Sequence, residues 1–205
     1  MIPETFAAER FWNERYNGRD FVYGEAPNVF FAETLSILKQ GVIILPCDGE
    51  GRNAVHAASE GWEAFAFDLS EAGKAKADHL ALKYGVLIDF QIKDAATALY
   101  PNDSADVVAI IYAHLPPKVR KQLHRNIFNW LKPGGKVILE TFCPEQLKNS
   151  SGGPKDIEML YTKEILSEDF KDFNIDYLEY EHIQLSEGEY HEGPADVIRM
   201  IATKA

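Results

Sequence analysis

Cysteine is scarce in this chain: Cys47 and Cys143 are the only two in 205 residues. They lie far apart and lack metal-ligand spacing, so no disulfide and no metal site is expected, and reduced thiols point to a cytoplasmic setting. No apolar run approaches the roughly 20 residues of a membrane span. The first residues carry Glu4, Glu9, Arg10, Glu14 and Arg15 where a secretory signal would place a basic stretch and then an apolar one. No membrane partner is expected. Low-complexity segments are also absent, and 46% hydrophobic with 26% charged residues leaves little composition for a disordered tail. Basic side chains are the minority: 21 Lys and Arg face 32 Asp and Glu, a net charge of −11. A surface of that sign repels nucleic acid and anionic lipid, so nucleic acid is not an expected partner.

Against these absences stands an alternation. Short apolar runs alternate with helical periodicity from Val42 to Leu139, the pattern of parallel strands joined by crossover helices, and the length suits one α/β domain over residues 1–205. Strands are predicted at Val42–Leu45, Ala64–Phe67, Leu87–Ile92, Asp106–Ile111 and Val137–Phe142, the third and fourth short and β-branched enough to be buried. A helix is predicted over Gly51–Glu60, with Ala54, Ala57 and Ala58 as a close-packing face and Gly61 closing it. A second runs from a Ser70 cap to Tyr84, ended by Gly85, and a third starts at Pro116 and Pro117 with Val119, Leu123, Ile127 and Leu131 inward. Pro133-Gly134-Gly135 reads as a turn. After a polar stretch, Gln146 to Asp156, come a helix, Lys163–Phe170, and two strands, Asn174–Leu185 and Val197–Thr203. That pair forms an antiparallel hairpin around an acidic loop.

The stretch richest in chemistry is Pro46-Cys47-Asp48-Gly49-Glu50-Gly51-Arg52-Asn53, directly after the first strand and opening a helix. Glycines there let the backbone turn and approach a ligand, and free helix N–H groups face the same crevice. Asp68 ends the second strand about 20 residues on, where a carboxylate can accept from both ribose hydroxyls; the lesser alternative is that it merely ends the strand or caps the Ser70 helix. Leu69 and Ser70 follow it at the same edge. Asp94, with Ala95, is placed to meet an adenine amino group or to be an ordinary loop residue. Gly49-x-Gly51-x-x-Ala54 also satisfies the dinucleotide fingerprint, so an NAD(P)-dependent oxidoreductase stays open, as does a protein that binds its cofactor without catalysis. The lack of a Tyr-x-x-x-Lys pair, of chain for a separate catalytic domain, and the terminal hairpin all weigh against the oxidoreductase.

Leu45-Pro46-Cys47-Asp48-Gly49-Glu50-Gly51-Arg52-Asn53-Ala54, Asp68, His114-Leu115-Pro116 and Leu131-Lys132-Pro133-Gly134-Gly135 together resemble class I methyltransferases, specifically the bacterial group related to tellurite-resistance and thiopurine methyltransferases. Trp12-Asn13-Glu14-Arg15-Tyr16 and Tyr23-Gly24-Glu25-Ala26-Pro27-Asn28 are similar to that group's N-terminal signature. One departure is that most class I enzymes place an acidic residue and then a glycine ahead of the loop, where this chain has Leu45 and then Pro46-Cys47-Asp48. The resemblance implies S-adenosyl-L-methionine as cofactor and a small-molecule methyl acceptor. It also implies a Rossmann-like, seven-stranded, mostly parallel sheet of order 3-2-1-4-5-7-6 with the last strand antiparallel and helices on both faces. Cofactor contacts are then expected from Tyr23, Pro46, Cys47, Asp48, Gly49, Gly51, Arg52, Asn53, Asp68, Leu69, Ser70, Asp94, Ala95, Tyr112 and Leu115. His114, after the fourth strand, is a candidate proton acceptor or a structural histidine; Tyr190 and His191 of the hairpin loop are next in line. Residues 1–28 are expected to form a lid. Its Trp12, Tyr16, Phe21 and Tyr23 either cover the cofactor or pack as a helix stripe on the core.

Overall fold

The computed structural model describes residues 3–205. Strand β1 (Val42–Pro46) shows how the sheet is built. Successive side chains leave a strand on opposite faces. Ile44 accordingly joins a core with Phe67, Val108, Leu139 and Trp130 on one face, while Ile43 and Leu45 join Ala64, Ala66, Val107 and Phe31 on the other. A strand buried on both faces has to read as a continuous apolar run, which is what Val42 to Leu45 is. Strands β2 (Glu63–Asp68), β3 (Asp89–Ile92), β4 (Ala105–Ile111) and β5 (Leu131–Phe142) extend the sheet in parallel. Strands β6 (Phe173–Ser186) and β7 (Glu192–Lys204) close it as a hairpin, with β7 antiparallel to both β5 and β6. The order is β3-β2-β1-β4-β5-β7-β6, the seven-stranded arrangement expected from the resemblance. The direction of the crossovers reverses between β1 and β4, so the loops leaving those strands part and open a crevice at the carboxyl edge.

Helices cover both faces. Helix α1 (Pro3–Tyr16) precedes the sheet; α2 (Val29–Ser36), α3 (Arg52–Ser59) and α4 (Glu71–Tyr84) lie on the side of Ile43. Helices α5 (Pro117–Trp130) and α6 (Lys163–Asp169) lie on the side of Ile44, where Leu123, Ile127, Trp130, Leu166 and Phe170 are almost fully buried. Burial of each such side chain contributes about 1.5–3 kcal/mol. Local signals set the helix ends. The Ser70 hydroxyl accepts from the Gly73 N–H at 3.0 Å and Gly85 takes φ 68° past the last turn of α4, as a serine cap and a glycine stop should.

Four differences from the sequence reading have physical causes. β3 starts at Asp89, leaving Leu87 93% exposed, and of its four residues only Phe90 is buried; it is an edge strand with one neighbour, not a buried one. Leu131 is the first residue of β5 and not the last inward position of α5. The Pro133-Gly134-Gly135 turn sits inside β5 as a bulge, the register jumping from Ala105↔Leu131 to Val107↔Lys136. Finally, β7 begins at Glu192, so the acidic loop shrinks to residues 187–191 between paired strands. Helix α1 carries Trp12 and Tyr16, as one of the two readings of the N-terminal aromatics has it, whereas α2 was not expected; it is started by Asn28, whose side chain accepts from the Phe31 N–H at 2.9 Å.

Candidate active site at the carboxyl edge

The loop after β1 is a run of left-handed backbone: Cys47, Gly49 and Gly51 have φ of 56°, 56° and 82°. Glycine is needed at two of these for separate reasons. At Gly51 a Cβ would lie 2.4 Å from the Ala77 Cβ, so only glycine lets α3 start against α4. At Gly49 it would lie 2.6 Å from the Tyr16 hydroxyl, so the ring of α1 rests on the loop itself. For Cys47 the same conformation costs on the order of 1–2 kcal/mol, which the surrounding packing has to offset.

Two carboxyls organise the loop. Asp48 accepts from the Ala54 N–H at 3.0 Å and from the Asn53 side chain at 3.1 Å, capping the start of α3. Burial pushes its pKa up to about 7 against these donors. Asp68, at the end of β2, accepts from the Gly49 N–H and the Ser70 N–H, both at 3.0 Å, and burial pushes it up to about 6. Pro46 ends β1 buried, and Leu69 lies half-buried between Asp68 and Ser70. After β3, Asp94 accepts from the Ala96 N–H at 2.8 Å, and Ala95 is buried in the core.

Residues 13–28 lie over this loop, tied down by groups that sequence spacing does not reveal. Glu50, 4% exposed, accepts from the Val22 N–H at 2.9 Å and from Lys76 at 2.6 Å. Arg52 donates to the Tyr23 carbonyl at 3.0 Å and to Glu187 at 2.8 Å, and Asn53 accepts from the Asn28 N–H at 3.0 Å. Asn13 accepts from the Ser70 hydroxyl and the Ala72 N–H, so α1 also caps α4. Trp12 stacks on Tyr16, while Phe21 packs against Val55 and Leu80.

Past β4 the chain turns at Tyr112, φ 53°, whose hydroxyl donates to Glu140 at 2.5 Å and whose ring stacks on Phe142 at 4.6 Å. Glu140 is fully buried and also accepts from Asn28 at 2.7 Å and Arg199 at 2.5 Å. His191 sits edge-on to Tyr112 at 4.6 Å and against Tyr23 at 4.5 Å, its Nδ1 3.2 Å from Glu187. Leu115 packs on the core beneath. His114 is differently placed. Its Nδ1 is 2.8 Å from the Met159 carbonyl, which can only accept, so Nδ1 carries the proton and Nε2 accepts from the Phe142 N–H at 3.3 Å. Burial holds its pKa down at about 4. The expectation that His114 takes a proton therefore meets a ring whose two nitrogens are both engaged with backbone.

The methyltransferase-domain family model matches residues 45–135, from the glycine loop to the bulge of β5. Over residues 45–135 the chain is thus similar to methyltransferase domains, whose cofactor is S-adenosylmethionine, and its sheet has the strand order expected from that resemblance. A curated relative, phosphoethanolamine N-methyltransferase 1 of Zea mays, is 28% identical over 135 residues, 65% of this chain and 26% of that protein. The chain thus matches about a quarter of its relative's length. Among solved structures, one described for conversion of a disulfide bond into a thioacetal group during echinomycin biosynthesis superposes with a TM-score of 0.77 at 14% identity, covering 98% of this chain and 92% of that one. Geranyl diphosphate C-methyltransferase from Streptomyces coelicolor A3(2), in complex with S-adenosyl-L-homocysteine, gives 0.69 at 12% identity, covering 100% and 99%.

The donor set at this edge suits such a cofactor. Asp68 is a buried carboxyl served by backbone N–H groups alone and pushed up to about 6, so two ribose hydroxyls would supply donors that favour its charged form. Sequence reading gave no role to Asn28, Glu50, Glu140, Glu187 or Arg199, although Asn28 and Glu50 stand inside the motifs it singled out. Glu140 left a signal of another kind, a charge in the middle of the buried run Val137 to Phe142.

Proposed function

We propose that this chain transfers the methyl group of S-adenosylmethionine to a small-molecule acceptor at the carboxyl edge of the sheet. The observation that carries the reading is the glycine loop joined to buried Asp68 through the Gly49 N–H at 3.0 Å. In this reading Asp68 accepts from the ribose, Asp94 and Ala95 border the adenine, and Pro46 to Asn53 with Tyr112 and Leu115 border the methionine part. The bound sulfonium supplies an electrophilic methyl group. The chain's own part is to bind, orient and exclude water, which for an in-line displacement supplies much of the rate. Residues 1–28 act as a lid: Tyr16 over Gly49, and Tyr23 between the loop and His191, support that role.

The net charge of −11 speaks for a small acceptor over nucleic acid. The relatives named as phosphoethanolamine N-methyltransferases favour the same class, while the narrower likeness to tellurite-resistance and thiopurine methyltransferases rests on the N-terminal and loop motifs. The test is transfer of a labelled methyl group from S-adenosylmethionine to a panel of phosphoethanolamine, small thiols, thiopurines and metalloid oxyanions. Label in a small product supports the proposal. Label passing only to protein or nucleic acid overturns it.

A further inference from the structure

Four histidines of the chain have Nδ1 bonded to an acceptor: His114 to the Met159 carbonyl, His124 to Asp169, His182 to Asp196 and His191 to Glu187. Position separates them. The Nε2 of His114 is taken by the Phe142 N–H. His124 is buried between α5 and α6, with Phe170 and Tyr161 against its ring, and its Nε2 is sealed in the core. His182 is on the exposed strand β6. His191 stands in the β6–β7 hairpin. Because β6 is antiparallel to β7 and β7 to β5, β6 runs parallel to β5 and its end lies at the same carboxyl edge as the glycine loop.

The His191 side chain is 6% exposed, and among the described residues its Nε2 has no hydrogen-bond partner. Gly152 borders this edge of the ring: a Cβ added there would lie 2.8 Å from Cδ2 and 3.2 Å from Nε2. Glu187 is held against the ring by Arg52 at 2.8 Å and Asn28 at 3.3 Å. Burial pushes the Glu187 carboxyl up, but the His191 and Arg52 donors outweigh it and hold it below its usual range. Glu187 is therefore a carboxylate at neutral pH, Nδ1 donates to it, and Nε2 keeps its lone pair.

We propose that His191, oriented by Glu187, is the proton acceptor for the nucleophile of the methyl acceptor; this rests on the functional reading above. The acceptor's lone pair forms the bond to the methyl carbon, the carbon–sulfur bond breaks with its pair left on sulfur, and the acceptor's proton passes to Nε2. The resulting imidazolium is paired with the Glu187 carboxylate. His191 is a catalytic residue in this scheme and Glu187 a positioning residue. The other charged or titratable groups facing the ring are Arg52 from α3, Glu140 from β5, Tyr112 and His114 after β4, and Tyr23 from the N-terminal segment. Burial lowers the His191 pKa while Glu187 raises it, which leaves the ring neutral and able to accept at neutral pH.

The test joins nitrogen-resolved NMR of the imidazole with kinetics on whichever acceptor the labelled panel yields. In wild-type protein saturated with S-adenosylhomocysteine at pH 8, Nδ1 carries the proton and Nε2 does not. His191→Gln keeps S-adenosylhomocysteine affinity within about twofold and loses about 100-fold or more in turnover, the usual scale for general base catalysis. Glu187→Gln moves the acid limb of the pH–rate profile to lower pH and Glu187→Asp moves it back, which a merely structural glutamate would not do. A proton on Nε2 at pH 8, or full turnover in His191→Gln, overturns the proposal. Wild-type protein that fails to bind S-adenosylhomocysteine overturns the functional reading itself, and the dyad with it.

Discussion

Lowering the pH from 8 to 5 should weaken S-adenosylhomocysteine binding through Asp68. In the free protein burial pushes this carboxyl up to about 6, against the N–H donors of Gly49, Leu69 and Ser70. Ribose hydroxyls favour the charged form, so in the complex the group should return toward the ordinary carboxylate value of about 4. Ligand then binds the deprotonated protein, and protonation competes with it. With those two values, affinity at pH 5 falls about tenfold below that at pH 8, or about 1.4 kcal/mol. The stability sign follows from the same shift. A carboxyl raised on folding contributes stability below its unfolded value of about 4 and loses it as pH rises through about 6. Free protein is therefore penalised at pH 8, and the ligand-induced gain in melting temperature should be larger there than at pH 5. Asp48, pushed to about 7 by burial, titrates in the same range. Asp68→Asn isolates the Asp68 contribution: it should bind more weakly by on the order of 1.5–3 kcal/mol and lose most of the pH dependence. Titration calorimetry at pH 5, 6, 7 and 8 reads both. Equal affinity across that range, or tighter binding at pH 5, would refute the role given to Asp68.

Three further outcomes are expected. Gly51→Ala, with φ 82° and a Cβ 2.4 Å from that of Ala77, should lose about 2 kcal/mol or more in denaturant unfolding; an unchanged midpoint would refute the close approach of α3 to α4. His114→Gln breaks the bonds to the Met159 carbonyl and Phe142 N–H, so stability should fall by about 1–3 kcal/mol while turnover is kept, and a turnover loss in folded protein would reinstate it as a base. Amide exchange in residues 13–28 should slow when S-adenosylhomocysteine is added, because these residues lie over the loop; unchanged exchange would remove the lid.

The parts legible in the sequence are those set by local rules. β1, its glycine loop, Ser70 and Gly85 are fixed by apolar runs and caps a few residues long, and Asp68 by its distance of 19 residues from Gly49. The parts that were not legible depend on partners far apart in the chain. Asn28 meets Glu140 across 112 residues and Glu187 across 159, and Arg52 meets Glu187 across 135, so no spacing rule joins them. The bulge in β5 was hidden for another reason. Pro133-Gly134-Gly135 carries true turn chemistry, and only the pairing of Leu131 with Ala105 on its near side places it inside the strand.

The central claim is that the edge formed by the glycine loop and Asp68 takes S-adenosylmethionine and not a nicotinamide dinucleotide. One calorimetric comparison at pH 8, titrating the same protein with S-adenosylhomocysteine, NADH and NADPH, tests it most directly. Saturable one-to-one binding of S-adenosylhomocysteine, abolished or strongly weakened in Asp68→Ala, with no heat from either dinucleotide, is the predicted result. Saturable binding of NADH or NADPH by a protein indifferent to S-adenosylhomocysteine would contradict it.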